Sequence, residues 1–345
     1  MKLKFVFHLI LAALLPALLV SCEHKELCYQ HPHRATLRVV FDWQDAPDAN
    51  PAGMCVFFYP VSEDGIDDGR RMVRYDFMGK EGGEVELVEG RYRVIAYNND
   101  TEACQFSGIG GFDTHRAFTR DGSLFESIVG SGALPPRAND AERIVISPDM
   151  MWGCSVEEME ITAEGVTYIS IPESGRDTWS GVPVHSVDRV IYLYPHELVC
   201  EYTYEVRNVE NLKYATQMCG SLSGMAPSLY FGDESLGSEC VTIPFAAESD
   251  GVSRITGRFY TFGHNTGNPQ EHRMMFYVWM LDGGKFYFGA TEDKFNVTTQ
   301  VHNAPDKRHV HIIIDGLGLP TPMEGDDSFN PSVDDWQEIN QDITI

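Results

Sequence analysis

The stretch LVCEYTYEVRN, residues 198–208, decides the fold class. Leu198, Cys200, Tyr202, Tyr204 and Val206 alternate with Glu201, Thr203, Glu205 and Arg207. Successive side chains of a strand point to opposite faces, so this period of two gives one apolar and one wet face. That is the pattern of an antiparallel sheet with one side on a core. A helix needs apolar residues three and four apart, and no stretch sustains that spacing over three turns.

Strand signals repeat on both sides of this stretch. ATLRVVFDW (35–43) alternates, and MCVFFYP (54–60) is a continuous apolar run of strand length. RRMVRYDFM (70–78), RIVISP (143–148), SVEEMEITAEG (155–165), KFNVTTQVH (294–302) and RHVHIIID (308–315) add more. EVELVEGRYRVIAYN (84–98) reads as a hairpin turning at Glu89-Gly90, and RMMFYVWMLDGGKFYFGAT (273–291) as another turning at Asp282-Gly283-Gly284. THRAFTRDGSLFESI (114–128) has room for a short helix. The strands outnumber those of one seven-stranded sandwich. The expected fold class is therefore all-β, with two tandem antiparallel β-sandwich domains meeting near Glu164-Gly165. No sequence repeat links the halves.

The ends behave differently. Lys2 and Lys4 precede an apolar run from Phe5 to Val20 that contains His8 and Pro16. A bilayer-spanning helix needs about 20 apolar residues, so this run reads as a secretory signal. It ends Leu19-Val20-Ser21-Cys22, which resembles the lipobox of bacterial lipoproteins. That likeness implies cleavage before Cys22 and acylation of its thiol and amine, and multiple acyl chains hold a protein stably in a membrane. At the other end, SVDDWQEINQDITI carries Trp336, Ile339, Ile343 and Ile345 within an acidic tail. It reads as a docked final strand, a solvated tail, or a strand offered to a partner sheet. The expected division is a signal peptide over 1–21, a tether over 22–34, sandwiches over 35–165 and 166–320, and a tail over 321–345.

Composition narrows the function. A formal net charge of −25 argues against nucleic-acid partners, which need a basic footprint. Eight cysteines show no C-x-x-C and no zinc-finger spacing. With Cys22 acylated an odd number remains, and an exported chain allows one disulfide, with Cys200 and Cys219 the candidate pair.

Three features together resemble the fimbrillin-like lipoproteins of Bacteroidetes that are related to the minor-fimbrium anchor subunits. They are the lipobox followed by ELCYQHPHR, the segment EGRYRVIAYNND, and ATQMCGSLSGMAPSLYFG (215–232). The resemblance implies two transthyretin-like sandwiches and a lipid-anchored protein of the outer membrane, exposed at the cell surface. It implies other fimbrial subunits as partners, with an anchor or basal role and sheets completed by strands from neighbours.

Catalytic and metal motifs are weak. CGSLSGM (219–225) lacks the register of a G-x-S-x-G elbow and reads as a tight turn of small residues. His309 and His311 share a strand face without a third ligand, and His31 and His33 flank Pro32 in the tether. EDGIDDG (63–69) lacks the D-x-[DN] start of an EF-hand loop. No enzyme, cofactor or metal is expected. The alternative reading is a surface glycan-binding lipoprotein or a non-polymerising adhesin, with Trp43, Trp152 and Trp179 as candidates for stacking on sugar rings.

Overall fold

The computed structural model describes residues 33–62, 69–124, 137–170, 185–186, 189–267 and 270–322. It is built almost wholly of strands, arranged as two sandwiches and a small sheet between them.

In the first sandwich, Arg34–Phe41 runs between Gly82–Val88, antiparallel, and Val190–Leu193, parallel. Ala35, Leu37, Val39 and Phe41 all turn inward, as their alternation requires. They meet a larger sheet whose centre is Trp152–Ile161, Gly90–Asn98 and Gly53–Val61. Met54, Val56, Phe58, Tyr92, Val94 and Ala96 supply that side of the core. Each fully buried Leu, Val or Phe contributes about 1.5–3 kcal/mol over its exposed state.

The second sandwich centres Cys200–Glu210 between Ile255–Thr261, antiparallel, and His309–Gly318, parallel. Tyr202, Tyr204 and Val206 face the core, while Glu201, Thr203 and Glu205 stay half-exposed. Opposite lies a sheet containing Ala215–Met225, Val241–Ala246, Met274–Met280 and Lys285–Phe288.

Two strands are buried at every position, Gly53–Val61 and Met274–Met280. Each lies in a sheet covered on both faces, which is why MCVFFYP and MMFYVWM show no polar alternation. On the outer side of the first, Cys55, Phe57, Tyr59, Ile95 and Tyr97 pack against Phe112, Ala117, Leu229 and Phe231. Those residues belong to or flank a three-stranded sheet of Cys104–Ser107, Arg116–Thr119 and Ser228–Tyr230. Its strands come from both halves of the chain, so it joins the two sandwiches.

Several expectations change. Val166–Ser170 pairs with Trp152–Ile161, and Val190–Leu193 with Arg34–Phe41, so residues beyond 165 still complete the first sandwich. Strand pairing passes to the second sandwich between Glu197 and Cys200. Arg143–Ile144 crosses the other way and pairs with Val241–Ala246. Gly82–Val88 and Gly90–Asn98 are not a hairpin. They belong to facing sheets, and the chain changes sheet at Glu89-Gly90. Gly90 takes a φ of 143°, open to glycine, and the Tyr92 hydroxyl donates to Val88 O at 2.6 Å across this corner. The hairpin at 280–285 does form, with Gly283 N donating to Met280 O at 2.9 Å.

Residues 294–302 are not a strand. Asp293–Phe295 is one 3₁₀ turn and Thr298–His302 a short helix. Val297 and Val301, four apart, share a buried side, and Asn296 Oδ1 accepts from Thr298 N and Oγ1. The helix allowed for within 114–128 is instead the strand Arg116–Thr119 over its first described part.

CGSLSGM is no turn. It lies in the strand Ala215–Met225 and is buried from Cys219 onward. A Cβ on Gly220 would collide with the Phe245 ring. Gly224 takes a φ of 82° at a bulge in the pairing with Val241–Ala246, and a Cβ there would press on His272. Small residues are needed because neighbours approach from both faces. Cys200 and Cys219 are free thiols: Cys219 packs on the outer side of its sheet with Met275 and Tyr277, whereas Cys200 packs in the core between the sheets.

Candidate functional site

The expected lipid-attachment residue, Cys22, and the expected exchange segment, Trp336, Ile339, Ile343 and Ile345, lie outside the described residues. The sheet edges that an added strand would meet are described. A bare edge presents a row of backbone donors and acceptors to any passing strand.

Two edges carry side-chain blocks. Along His309–Gly318, the Gln300 amide donates from Nε2 to Ile313 O at 2.9 Å and accepts from Ile313 N at 2.8 Å. Lys294 Nζ donates to Gly316 O beside it. The amide offers one donor and one acceptor, as a neighbouring strand would. In the first sandwich the Tyr75 hydroxyl does the same for Glu86, donating to its carbonyl at 2.7 Å and accepting from its N–H at 3.0 Å. Among the described residues, Val190–Leu193 and Lys285–Phe288 end their sheets, and Tyr192 and Tyr287 stand exposed on them.

At the seam between the sandwiches, Tyr97 stacks on Phe231 with centroids 4.4 Å apart and planes 6° off parallel, and on Phe106 at 4.6 Å. His115 is fully buried beneath them. Its Nδ1 lies 2.7 Å from the Tyr59 hydroxyl and its Nε2 3.1 Å from the Tyr97 hydroxyl. Burial, with the Arg74 charge in support, lowers its pKa to about 4, so it is neutral near pH 7. Glu234 spans the same seam, 2.7 Å from His196 and 3.0 Å from Arg308. Burial works to raise its pKa, but the hydrogen bond to His196 and the Arg308 guanidinium outweigh that and hold it low.

The sequence-level candidates disperse. His309 and His311 do share an exposed face, but both His309 nitrogens are engaged, by Asp306 at 3.0 Å and Glu197 at 3.2 Å, and His311 Nδ1 lies 2.9 Å from Thr203 Oγ1. Trp43 and Trp152 are half-buried. Trp43 donates from Nε1 to Lys80 O at 2.9 Å and packs on the first core. Trp179, His31 and residues 63–68 lie outside the described residues.

A different histidine set does converge. His264 follows Ile255–Thr261, His272 precedes Met274–Met280, and His302 closes the short helix. One ligand nitrogen from each lies within 4.8 Å of the others. His272 Nε2 and His302 Nε2 are 3.1 Å apart. His264 and His272 are buried and His302 half-buried. Nothing in local spacing signals this set, because the fold alone brings positions 264, 272 and 302 together.

The residues 21–246 match the family model described as a domain of unknown function, DUF5119. The chain belongs to the DUF5119 family. The match spans the first sandwich and the opening strands of the second. This DUF5119 chain is 28% identical over 158 residues to Fim4B of Bacteroides ovatus, a proposed fimbrium anchoring subunit. That alignment covers 46% of this chain and 41% of the relative, so the match spans about two fifths of the relative's length. A solved proposed adhesin of Bacteroides ovatus shares the fold, with a TM-score of 0.54, 19% identity, and coverage of 84% of this chain and 95% of that one. The fimbrial anchor protein Mfa2 of Porphyromonas gingivalis aligns with a TM-score of 0.46 and 14% identity, over 81% of this chain and 91% of its own. No helix among the described residues is long and apolar enough to cross a membrane.

Proposed function

We propose that this DUF5119 chain is a lipid-anchored, non-enzymatic surface protein that serves as an anchor or basal subunit of fimbriae. The observation that carries this reading is the match to a proposed fimbrium anchoring subunit. The two-sandwich fold, shared with a proposed adhesin, supports it. In this reading acylated Cys22 holds the chain in the outer membrane, facing outward. Other fimbrial subunits are its partners, and the segment around Trp336, Ile339, Ile343 and Ile345 takes part in strand exchange. Such exchange satisfies backbone groups at an open edge and fills an apolar groove at once. The blocks at Glu86 and Ile313 direct an incoming strand toward other edges, and Val190–Leu193 and Lys285–Phe288 are among the candidates.

The test is mass spectrometry of sheared filaments beside the outer-membrane fraction. Acylated Cys22 in the membrane, with the chain also present at low stoichiometry on filaments, supports an anchor. Acylated Cys22 without filament association removes the fimbrial role and leaves a non-polymerising adhesin or a glycan-binding lipoprotein.

A further inference from the structure

We propose that His264, His272 and His302 form a binding site for a divalent transition-metal ion, with zinc the best fit, at one end of the second sandwich. Three imidazoles are a donor set suited to zinc, copper or nickel and poorly suited to calcium or magnesium, which prefer oxygen. Two zinc-bound nitrogens lie about 3.3 Å apart when Zn–N is about 2.0–2.1 Å in a tetrahedral site. The 3.1 Å between His272 Nε2 and His302 Nε2 is close to that spacing. The widest separation, 4.8 Å, closes with a side-chain movement on the order of 1 Å.

The surroundings orient the rings as outer partners of a metal site do. His272 Nδ1 donates to Ser223 O at 3.2 Å, which leaves the Nε2 lone pair pointing at the cluster. His264 Nδ1 lies 3.3 Å from the Tyr202 hydroxyl. The decisive observation is the other nitrogen: His264 Nε2 is buried and has no hydrogen-bond partner. A buried unpaired polar atom is costly, and a bound ion removes that cost. A plain hydrogen-bonded pair accounts for His272 and His302 but leaves His264 unexplained. Burial and the neighbouring rings also lower the pKa of His264 to about 4, and burial lowers that of His272 to about 4. Lys307 acts on His264 in the same direction.

The ion would tie together three pieces distant in sequence: the loop after Ile255–Thr261, the start of Met274–Met280, and the end of the helix Thr298–His302. Three protein ligands leave a fourth position for water or an outside donor.

The full chain, purified in detergent and stripped with EDTA, is titrated with zinc chloride against a chromogenic chelator, and with cobalt chloride by visible absorption. The expected result is one zinc per chain, a tetrahedral cobalt spectrum, and a melting temperature raised by zinc. His302→Ala is expected to weaken zinc binding on the order of 100-fold, and His309→Ala to leave it unchanged. If His302→Ala fails to fold by circular dichroism, His302→Gln takes its place, since it keeps volume at a half-buried position. Absence of one-to-one zinc binding, or binding unaffected by the His302 variants, overturns the proposal.

Discussion

The two sandwiches meet the same problem in different ways. Each contains a strand buried on both faces, and each buries histidine near it. In the first, His115 has both ring nitrogens partnered by the Tyr59 and Tyr97 hydroxyls, under a stack of Tyr97, Phe106 and Phe231. In the second, three histidines crowd together and His264 Nε2 is unpartnered. A buried histidine with every nitrogen satisfied is architecture. A buried histidine with one nitrogen unsatisfied, beside two more imidazoles, points to something bound.

The largest effect is expected at the seam. Phe231→Ala removes a ring stacked on Tyr97, and loss of a buried aromatic costs about 3–5 kcal/mol. If the seam couples the sandwiches, urea unfolding of this variant splits from one transition into two. A single transition would mean that the sandwiches unfold together for another reason, such as the crossed strand Arg143–Ile144.

Acid sharpens the contrast. His115 has a folded-state pKa of about 4 against about 6.5 when unfolded, so between these values the unfolded chain binds more protons. Its contribution is therefore fully present above about pH 6.5 and is lost as pH falls toward 4, at no more than about 1.4 kcal/mol per unit. His115→Gln is expected to flatten that slope in denaturation curves taken at each pH. An unchanged slope would place the acid sensitivity elsewhere.

Smallest in energy are the edge blocks. Tyr75→Phe in the first sandwich and Gln300→Ala in the second each remove a paired donor and acceptor contact, at about 1 kcal/mol or less. Both variants are expected to self-associate more readily by light scattering, because an unblocked edge invites pairing. If only one does, the other edge is protected by its surroundings.

Strand character was legible wherever one face was wet, as in Tyr202, Tyr204 and Val206 against Glu201, Thr203 and Glu205. Alternation tells which side chains face a core, but not which strand lies alongside. Hence Glu89-Gly90 reads as a hairpin although the chain changes sheets there, and Val166–Ser170 and Val190–Leu193 read as second-sandwich although they pair with the first. The segment 294–302 misleads because Val297 and Val301 fit either period over so short a run. The histidine set was illegible for the same reason. His302 lies on that misread helix, and no motif links it to His264 and His272.

The parallel pairings also set an order in time. Arg34–Phe41 takes Val190–Leu193 as a neighbour, and Cys200–Glu210 takes His309–Gly318. A ribosome delivers these partners far apart, and contacts of such long sequence separation form slowly. Each of Arg34–Phe41 and Cys200–Glu210 is therefore made long before its late companion emerges. Until then it must be shielded or kept unfolded, and a chain interrupted before residue 309 holds a second sandwich with its central strand uncovered.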